Sequence, residues 1–557
     1  MTKTYDITQL RELAQAWIAD DPDPKTREEL RALVDGLPDT GAELADRFAG
    51  PLTFGTAGLR GRLRAGPNGM NRAVVRRTAA GLVRWLAAQD ASGPLVIGYD
   101  ARHGSAEFAQ ETARVAEGAG RRAVLLPRPL PTPVLAYAVR ALGAAAGVMV
   151  TASHNPPQDN GYKVYLGAEL GGPGGAGAQI VSPTDVAISD AIAAVGSLSD
   201  VALGEVSVDQ VLGEAIVDQY LAGAVGVLQP DTPRELSVAY TPLHGVGAAV
   251  LTEAFRRAGF ATPQVVAEQA EPDPEFPTVA FPNPEEPGAM DRVIALAGEI
   301  GADLAIANDP DADRCAVAIP DPHAPHGWRM LHGDEVGVLL ADHLMRRGAA
   351  GRFATTIVSS SLLRTICHAR DVPYGETLTG FKWIVRAGED LRYGYEEALG
   401  YCVAPDLVRD KDGITAALLV CELAATLRAN GETLQDRLDD IARRYGVHAT
   451  DQLSVRVTDL AEIGDMMARL RATPPATLLG APVTECQDLL PRTDAVLLRT
   501  PHARVVVRPS GTEPKLKAYL EVIEPVTGEV TEARQRATAA LADLKAQTAE
   551  VLGVAGP

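Results

Sequence analysis

The sequence predicts an α/β protein of several domains, and three observations carry that prediction. At 557 residues the chain is far longer than one hydrophobic core serves, so roughly three or four domains are expected. A unit of apolar strand, polar loop and amphipathic helix recurs. Residues 95–100 lead through Arg102-His-Gly-Ser105 to a helix ending near Gly118; residues 236–240 lead through Thr241-Pro-Leu-His-Gly-Val-Gly247 to a helix ending near Gly259; residues 355–361 lead into 362–369. Dispersed without a fixed period, these units speak for repeated α/β domains rather than one large sheet. The closing stretch differs, running from strand into loop over residues 505–515 and ending in a helix that keeps Ala537, Ala540, Leu541, Leu544, Thr548 and Val551 on one face, a packed α+β unit.

Composition narrows the function classes. The chain is 46% hydrophobic and 22% charged, close to globular averages. Its formal net charge of −20 repels nucleic-acid backbones and anionic membranes, so neither is an expected partner. An anionic small molecule would need a local pocket of Arg and Lys. The cysteines Cys315, Cys367, Cys402, Cys421 and Cys486 are odd in number and form no C-x-x-C pair, which disfavours zinc sites and disulfide frameworks. With no basic start followed by an apolar core, and no apolar run long enough to cross a bilayer, a cytoplasmic location is expected.

Taken in order, Leu10, Leu13, Ala14 and Trp17 recur at helical spacing and predict an amphipathic helix ending near Asp20. Thr53-Phe-Gly-Thr-Ala-Gly-Leu-Arg-Gly-Arg62 offers glycines for close backbone approach and two guanidinium forks, Arg60 and Arg62, suited to phosphate; a solvated turn reads equally from these residues. The apolar run 144–150 predicts a buried strand, and its end delivers Thr151-Ala-Ser-His-Asn-Pro-Pro157 into the open. Ser153 and His154 set a hydroxyl beside an imidazole, and Pro156-Pro157 forbids a regular helix. Residues 167–177, crowded with glycine, predict a flexible loop, and the polar stretch 197–207 a boundary followed by a connecting helix near 213–226.

A second strand, beginning at Asp303, ends in Asn308-Asp309-Pro-Asp311-Ala-Asp313-Arg314. Three carboxylates at alternate positions repel one another, and a hard divalent cation relieves that repulsion. An EF-hand fails, because its sixth and twelfth positions hold Arg314 and Pro320. Two chemistries remain: an aspartyl-phosphate enzyme with Asp309 as nucleophile, or a magnesium site with three Asp ligands and Arg314 reaching a phosphate. A plain acidic loop is the bland alternative. The Pro/His-rich insertion 320–332 lacks regular metal spacing and predicts a surface hairpin. Lys382, between Phe381 and Trp383, is placed for partial desolvation or for snorkelling. Gly394-Tyr-Glu396-Glu397-Ala-Leu-Gly400 pairs carboxylates with aromatic neighbours, a combination suited to sugar hydroxyls. Arg508-Pro-Ser510-Gly511-Thr512-Glu-Pro-Lys515 offers donors throughout, matched to a phosphate dianion.

Together these loops describe phosphoryl transfer on a phosphosugar. In order and wording the sequence resembles the α-D-phosphohexomutase superfamily over nearly its whole length: Thr151-Ala-Ser-His-Asn-Pro156 is similar to its phosphoserine loop, Asp309 to Arg314 to its metal loop, Gly394 to Gly400 to its sugar loop, and Arg508 to Thr512 to its phosphate loop. The wording is most similar to the phosphoglucomutase/phosphopentomutase-like branch. The resemblance implies three related α/β domains with mixed sheets and a C-terminal α+β domain around a central cleft, divided as 1–205, 206–325, 326–447 and 448–557. It implies a phosphoprotein isomerase of carbohydrate metabolism that interconverts hexose 1-phosphate and hexose 6-phosphate, glucose first among the sugars, with phosphomannomutase, phosphopentomutase or a metal-dependent phosphatase as alternatives. By the same resemblance Ser153 carries the phosphoryl group, and Asp309, Asp311 and Asp313 hold one Mg²⁺ together with a phosphoserine oxygen. Arg60 and Arg314 steady the phosphoryl group, and His154 and Lys382 carry protons. Glu396 in the Gly394 loop binds sugar hydroxyls, while Arg508, Ser510, Gly511, Thr512 and Lys515 hold the substrate phosphate. Hexose 1,6-bisphosphate is the implied activator and monomer or homodimer the implied assembly. Ala398 departs from the serine usual at its position and removes one hydroxyl contact; Pro310, where other branches have glycine, leaves the ligands intact.

Overall fold

A computed structural model describes residues 6–457, 459–510 and 515–554. The chain divides into two compact units, Met1–Val336 with Phe381–Thr426, and Gly337–Gly380 with Leu427–Pro557.

The first unit opens with helices Ile7–Asp20, Pro24–Asp35 and Gly41–Arg47, which share a core of Leu10, Ala14, Leu30, Val34, Leu44 and Phe48. Asp6 begins the first helix in a capping box with Gln9, meeting amides that the helix leaves unpaired. Trp17 also packs against the core of the first sheet, as the amphipathic pattern predicts.

That sheet contains Leu59–Arg62 (β1), Leu95–Tyr99 (β2), Ala123–Leu125 (β3), Ala146–Val150 (β4) and Asp159–Leu166 (β5), in the order β1-β5-β4-β2-β3. β2 runs parallel to β3 and β4, whereas β5 is antiparallel to β4 and β1. β4 is buried at every residue, which explains why its sequence is uniformly apolar rather than alternating. Burying side chains such as Val148 and Val150 stabilises by about 1.5–3 kcal/mol each and fixes where the strand ends and the Ser153 loop begins.

A second sheet repeats the plan with Val238–Thr241 (β6), Gln264–Val265 (β7), Leu304–Ala307 (β8), Ala316–Pro320 (β9) and Trp328–Met330 (β10), ordered β10-β9-β8-β6-β7. β6 is parallel to β7 and β8, and β9 is antiparallel to β8 and β10. β8 therefore occupies the place of β4, and the Asp309 loop leaves its sheet where the Ser153 loop leaves the first. The hairpin of strands Leu391–Glu396 and Gly400–Cys402 gives the unit a third strand-to-loop turn, ending on Glu396. The Pro/His-rich insertion is the β9–β10 hairpin, with Trp328 paired to Pro320.

Two expectations are corrected. Residues 167–177 are not a flexible loop: Ala168–Gly175 is helical, kinked at Gly172 with φ 63°. Gly167 serves close packing, since a Cβ on it would lie 1.7 Å from the carbonyl oxygen of Ala144, whereas Gly172 and Gly174 face open space. The third predicted strand begins earlier, at Arg352, and ends at Thr356, so residues 357–361 are loop before helix Leu362–Ala369. Ser359, Ser360 and Ser361 in that loop are buried polar residues, which strand propensity does not reveal.

The second unit is dominated by an antiparallel sheet ordered Val447–Arg456, Lys515–Glu524, Ala503–Pro509, Val496–Arg499, Glu485–Asp488. Alternation assigns its faces. Val505 and Val507 join Leu541, Leu544 and Leu552 of the closing helix Val530–Leu552, whereas Val506 turns the other way onto Ile357 and Val358. Among the described residues no single helix is long and apolar enough to cross a membrane. All the cysteines are free thiols, buried except Cys486.

Candidate active site

The Ser153 and Asp309 loops meet in the first unit. Ser153 is buried, and its Oγ donates a hydrogen bond of 2.7 Å to Asp309 Oδ2 while lying 3.1 Å from His154 Nδ1. The loop is placed by Thr151, whose Oγ1 accepts from the Ser153 amide at 2.9 Å. Arg60 approaches from β1 and donates to Asn155 Oδ1 at 3.0 Å, whereas Arg62 at the strand end is exposed.

Asp309, Asp311 and Asp313 are each fully buried, and one carboxylate oxygen from each lies within 4.8 Å of the others. Their loop is fixed from behind. Val246 N donates to Pro310 O at 2.9 Å, Thr132 N to Asp311 O at 2.9 Å, and Arg314 N to Asp309 Oδ1 at 3.0 Å. Side chains that the motif reading passed over neutralise it. Lys163 Nζ contacts Asp311 Oδ2 at 2.7 Å and Asp313 Oδ2 at 3.1 Å, and Lys411 Nζ lies 3.2 Å from Asp313 Oδ2 and 3.7 Å from Asp410. The signal for Lys163 was a lone lysine inside the apolar strand β5; the signal for Lys411 was a lysine enclosed by Asp410 and Asp412.

These contacts divide the carboxylates electrostatically. Burial, with repulsion from Asp311 and Asp313, pushes Asp309 well above the usual carboxylate range. Burial acts on Asp311 in the same sense, but Lys163 and the hydroxyl of Thr132, 2.7 Å from Oδ2, hold it far below that range. Asp311 Oδ1 and Asp313 Oδ1 are buried with no hydrogen-bond partner among the described residues. An all-oxygen donor set with two orphaned carboxylate oxygens fits a hard divalent cation, and no other cluster of this kind occurs among the described residues.

The Glu396 hairpin joins the same assembly. Arg314 forms a β-bridge with Gly400, and Cys315 N donates to Leu399 O at 3.1 Å, so the metal-type loop and the sugar-type loop share backbone hydrogen bonds. Burial raises Glu396 to about 7 against the attraction of Lys411 and Arg314. Arg314 itself lies 3.4 Å from Glu285. Lys382, on the short helix Phe381–Ile384, donates to Thr56 Oγ1 in the loop before β1, and burial lowers its pKa to about 8. Burial and the nearby Arg314 and Arg60 hold the His154 imidazole well below its ordinary value, hence neutral.

The predicted phosphate loop belongs to the second unit. Arg508 lies in strand Ala503–Pro509 opposite Lys517, with its Nε buried and without a hydrogen-bond partner among the described residues, and Ser510 N donates to Lys515 O at 2.8 Å. Gly511 and Thr512 lie outside the described residues. His103 and His244 make structural contacts, His103 Nε2 with Glu275 at 2.5 Å and His244 Nε2 with Thr278 Oγ1 at 2.8 Å.

A hydroxyl against a carboxylate triad, ringed by Lys163, Lys411, Arg60 and Arg314, is the apparatus of a phosphoryl-transfer enzyme. Comparison with known proteins gives the class. Successive segments match the phosphoglucomutase/phosphomannomutase alpha/beta/alpha domain I over residues 51–194, domain II over 217–322, domain III over 332–445 and the C-terminal domain over 453–536. The chain is 46% identical over 462 residues to the Haemophilus influenzae protein named Probable phosphomannomutase, covering 81% of this chain and 93% of that one. It is 32% identical over 529 residues to Staphylococcus aureus phosphoglucomutase, covering 88% and 93%. A Burkholderia thailandensis phosphoglucomutase/phosphomannomutase family protein shares the fold at TM-score 0.65 and 21% identity, covering 88% of this chain and 97% of that one. The chain belongs to the phosphoglucomutase/phosphomannomutase family of the α-D-phosphohexomutase superfamily, and it is an isomerase that moves a phosphoryl group within a hexose phosphate.

Proposed function

We propose that the enzyme carries its phosphoryl group on Ser153 and interconverts α-D-glucose 1-phosphate and glucose 6-phosphate through a bisphosphate intermediate. The observation that carries this reading is the 2.7 Å approach of Ser153 Oγ to Asp309 inside the triad. Asp309, Asp311, Asp313 and a phosphoserine oxygen would hold one Mg²⁺, which when bound supplies neutralisation of charge on the transferring group. The protein's own cations do the rest. Arg60 and Arg314 steady the phosphoryl oxygens, neutral His154 is suited to accept a proton, and Lys382, still protonated at neutral pH, is suited to donate one.

In the forward half-reaction the sugar hydroxyl attacks the phosphoserine phosphorus, the P–O bond to Ser153 breaks, and the serine oxygen recovers a proton. The bisphosphate then turns over and returns its other phosphoryl group to Ser153. Glu396, in the Gly394 loop, accepts sugar hydroxyls in both orientations. Arg508, Ser510, Gly511, Thr512 and Lys515 hold the phosphate that is not reacting. Hexose 1,6-bisphosphate primes unphosphorylated enzyme by donating to Ser153. We take the domains to be 1–205, 206–325, 326–447 and 448–557, supported by the four matched segments. We place the enzyme in the cytoplasm as a monomer or homodimer without nucleic-acid or membrane partners; its net charge of −20 supports the last part of that reading, since it repels polyanions.

Mannose is the second reading, favoured by the 46% identity to the Haemophilus protein; Ala398, which offers no hydroxyl to the sugar, leaves the choice between them open. Measured kcat/KM for glucose, mannose and ribose 1-phosphates, each with a trace of the matching bisphosphate, decides between them; a mannose preference of tenfold or more, about 1.4 kcal/mol, replaces the glucose reading. Mapping of an acid-stable phosphopeptide to Ser153 separates a mutase from a phosphatase working through an acylphosphate on Asp309.

A further inference from the structure

Residues 153–158 follow an irregular path past two prolines before β5 begins at Asp159; along it Leu63 N donates to Gln158 O at 2.7 Å and Asp159 N to Pro156 O at 3.1 Å. One side chain grips four carbonyls between Ser153 and Asp159. Arg102, in the turn after β2, has a side chain only 1% exposed. Its Nη2 donates to Ser153 O at 2.6 Å and to Asn155 O at 2.5 Å, and its Nη1 to Pro156 O at 2.9 Å and Asp159 O at 3.2 Å. Nε lies 3.4 Å from Asp100 Oδ2, and Asp100 is fixed in turn by Ser105 Oγ at 2.6 Å and the Arg102 amide at 3.0 Å. The guanidinium carbon sits 4.9 Å from the centre of the Phe276 ring. Both terminal nitrogens are thus committed to backbone, so this arginine is built into the loop rather than offered to a ligand.

The loop needs such a grip. Ser153 has φ 50°, a left-handed conformation that a non-glycine residue keeps only when its surroundings impose it. Thr151 Oγ1 holds the Ser153 amide, and Arg102 holds its carbonyl on the other side. We propose that Arg102 is a positioning residue for phosphoryl transfer: by gripping the carbonyls of residues 153–159 it aims Ser153 Oγ at Asp309 without touching the substrate. The inference rests on Ser153 being the phosphorylated residue. Lysine is no substitute, because a planar fork spans several acceptors whereas an ammonium is a point donor.

The test uses the full-length enzyme with glucose 1-phosphate and a trace of glucose 1,6-bisphosphate, comparing wild type, R102K and R102G. Peptide mapping of wild type comes first, and phosphate on a residue other than Ser153 overturns the underlying reading. With phosphate on Ser153, R102K is expected to lose about a hundredfold in kcat, the scale of an ångström's misplacement. KM is expected to stay within about twofold, since no substrate contact is removed. Added guanidinium ion should restore kcat to R102G by about tenfold or more where methylammonium does not. If R102G proves unfolded by circular dichroism, the kcat and KM of R102K decide alone. R102K within about threefold of wild-type kcat, a loss residing in KM, or a folded R102G that guanidinium leaves unrescued overturns the proposal.

Discussion

Ser153 Oγ meets Asp309 Oδ2 at 2.7 Å although 156 residues separate them in sequence. The approach follows from repetition, because β4 and β8 hold equivalent places in two sheets and each ends in a loop at the same edge. With Ser153 as phosphoryl carrier, S153A is expected to lose essentially all turnover and the phosphopeptide with it. Assay beside intact-mass measurement checks this, and an alanine variant with ordinary mutase activity would falsify the assignment.

Lys163 and Lys411 already balance Asp311 and Asp313 within the fold. Like charges about 4 Å apart repel by roughly 4 kcal/mol at an effective dielectric of 20, so this internal balance matters. Chelation should therefore stop catalysis yet leave the circular dichroism native, and Mg²⁺ should restore the rate. K163M removes a partner from two buried carboxylates and is expected to destabilise by about 3–5 kcal/mol, lowering Tm by roughly 10 °C. A K163M protein melting with wild type would show that the ion pairs carry little.

What the sequence disclosed follows from how local each signal is. Ser153, the aspartate triad and Glu396 sit in loops after apolar strands, and their local composition singles them out as candidates that the structure brings together. Lys163, Lys411 and Arg102 act through register and tertiary approach. Lys163 reaches the triad only because β5 folds back against β4 with Met149 opposite it, a pairing no local pattern specifies. The helix Ala168–Gly175 was hidden because its glycines and Pro173 imitate a linker in composition.

Two groups around the hairpin titrate near neutrality. Burial raises Glu396 to about 7 and lowers Lys382 to about 8. With Glu396 as the proposed acceptor of sugar hydroxyls and Lys382 as the proposed proton donor, the first is needed ionised, above about 7, and the second charged, below about 8. The kcat/KM profile is expected to be bell-shaped with limbs near those values. E396Q should flatten the acidic limb and K382M the alkaline one, read from rates between pH 5.5 and 9.5. On stability the signs differ: the Glu396 contribution, complete below its ordinary 4.5, declines as pH rises through about 7, whereas the burden of charged Lys382 is relieved as pH rises from about 8 toward 10.5.

Gly245 backs the metal-type loop. A Cβ there would stand 2.3 Å from Pro310 Cα and 2.4 Å from its carbonyl oxygen, and both are backbone atoms that yield only if the aspartate loop moves. G245A is expected to destabilise by about 1–3 kcal/mol and to raise the Mg²⁺ concentration needed for half-maximal rate. Gly464, mid-helix with nothing near its Cβ position, is the contrast, and G464A should stabilise by about 1 kcal/mol. Thermal melts and Mg²⁺ titrations of both variants check the pair.

In the second unit, Glu521 is a buried carboxylate shared by several donors. Ser360 Oγ and Ser361 N approach Oε1 at 2.7 Å and 2.8 Å, His448 Nδ1 lies 3.0 Å from the same oxygen, and Arg504 Nε lies 3.2 Å from Oε2. Burial opposes ionisation, but Arg504 and His448 overcome it and hold the group well below its ordinary 4.5. A depressed carboxyl contributes stability that is present above its unfolded value and lost as pH falls toward the folded one. At pH 7, E521A is expected to cost about 3–5 kcal/mol, because Arg504 loses its nearer, buried carboxylate and keeps Glu376 at 3.8 Å. The loss should fall on the second unit, so hydrogen exchange should quicken in strands Ala503–Pro509 and Lys515–Glu524 while strands of the first unit keep their protection. Below pH 4.5 the difference between E521A and wild type should shrink steadily, and a gap that stays constant through acid would show that lost packing, not lost charge, is responsible.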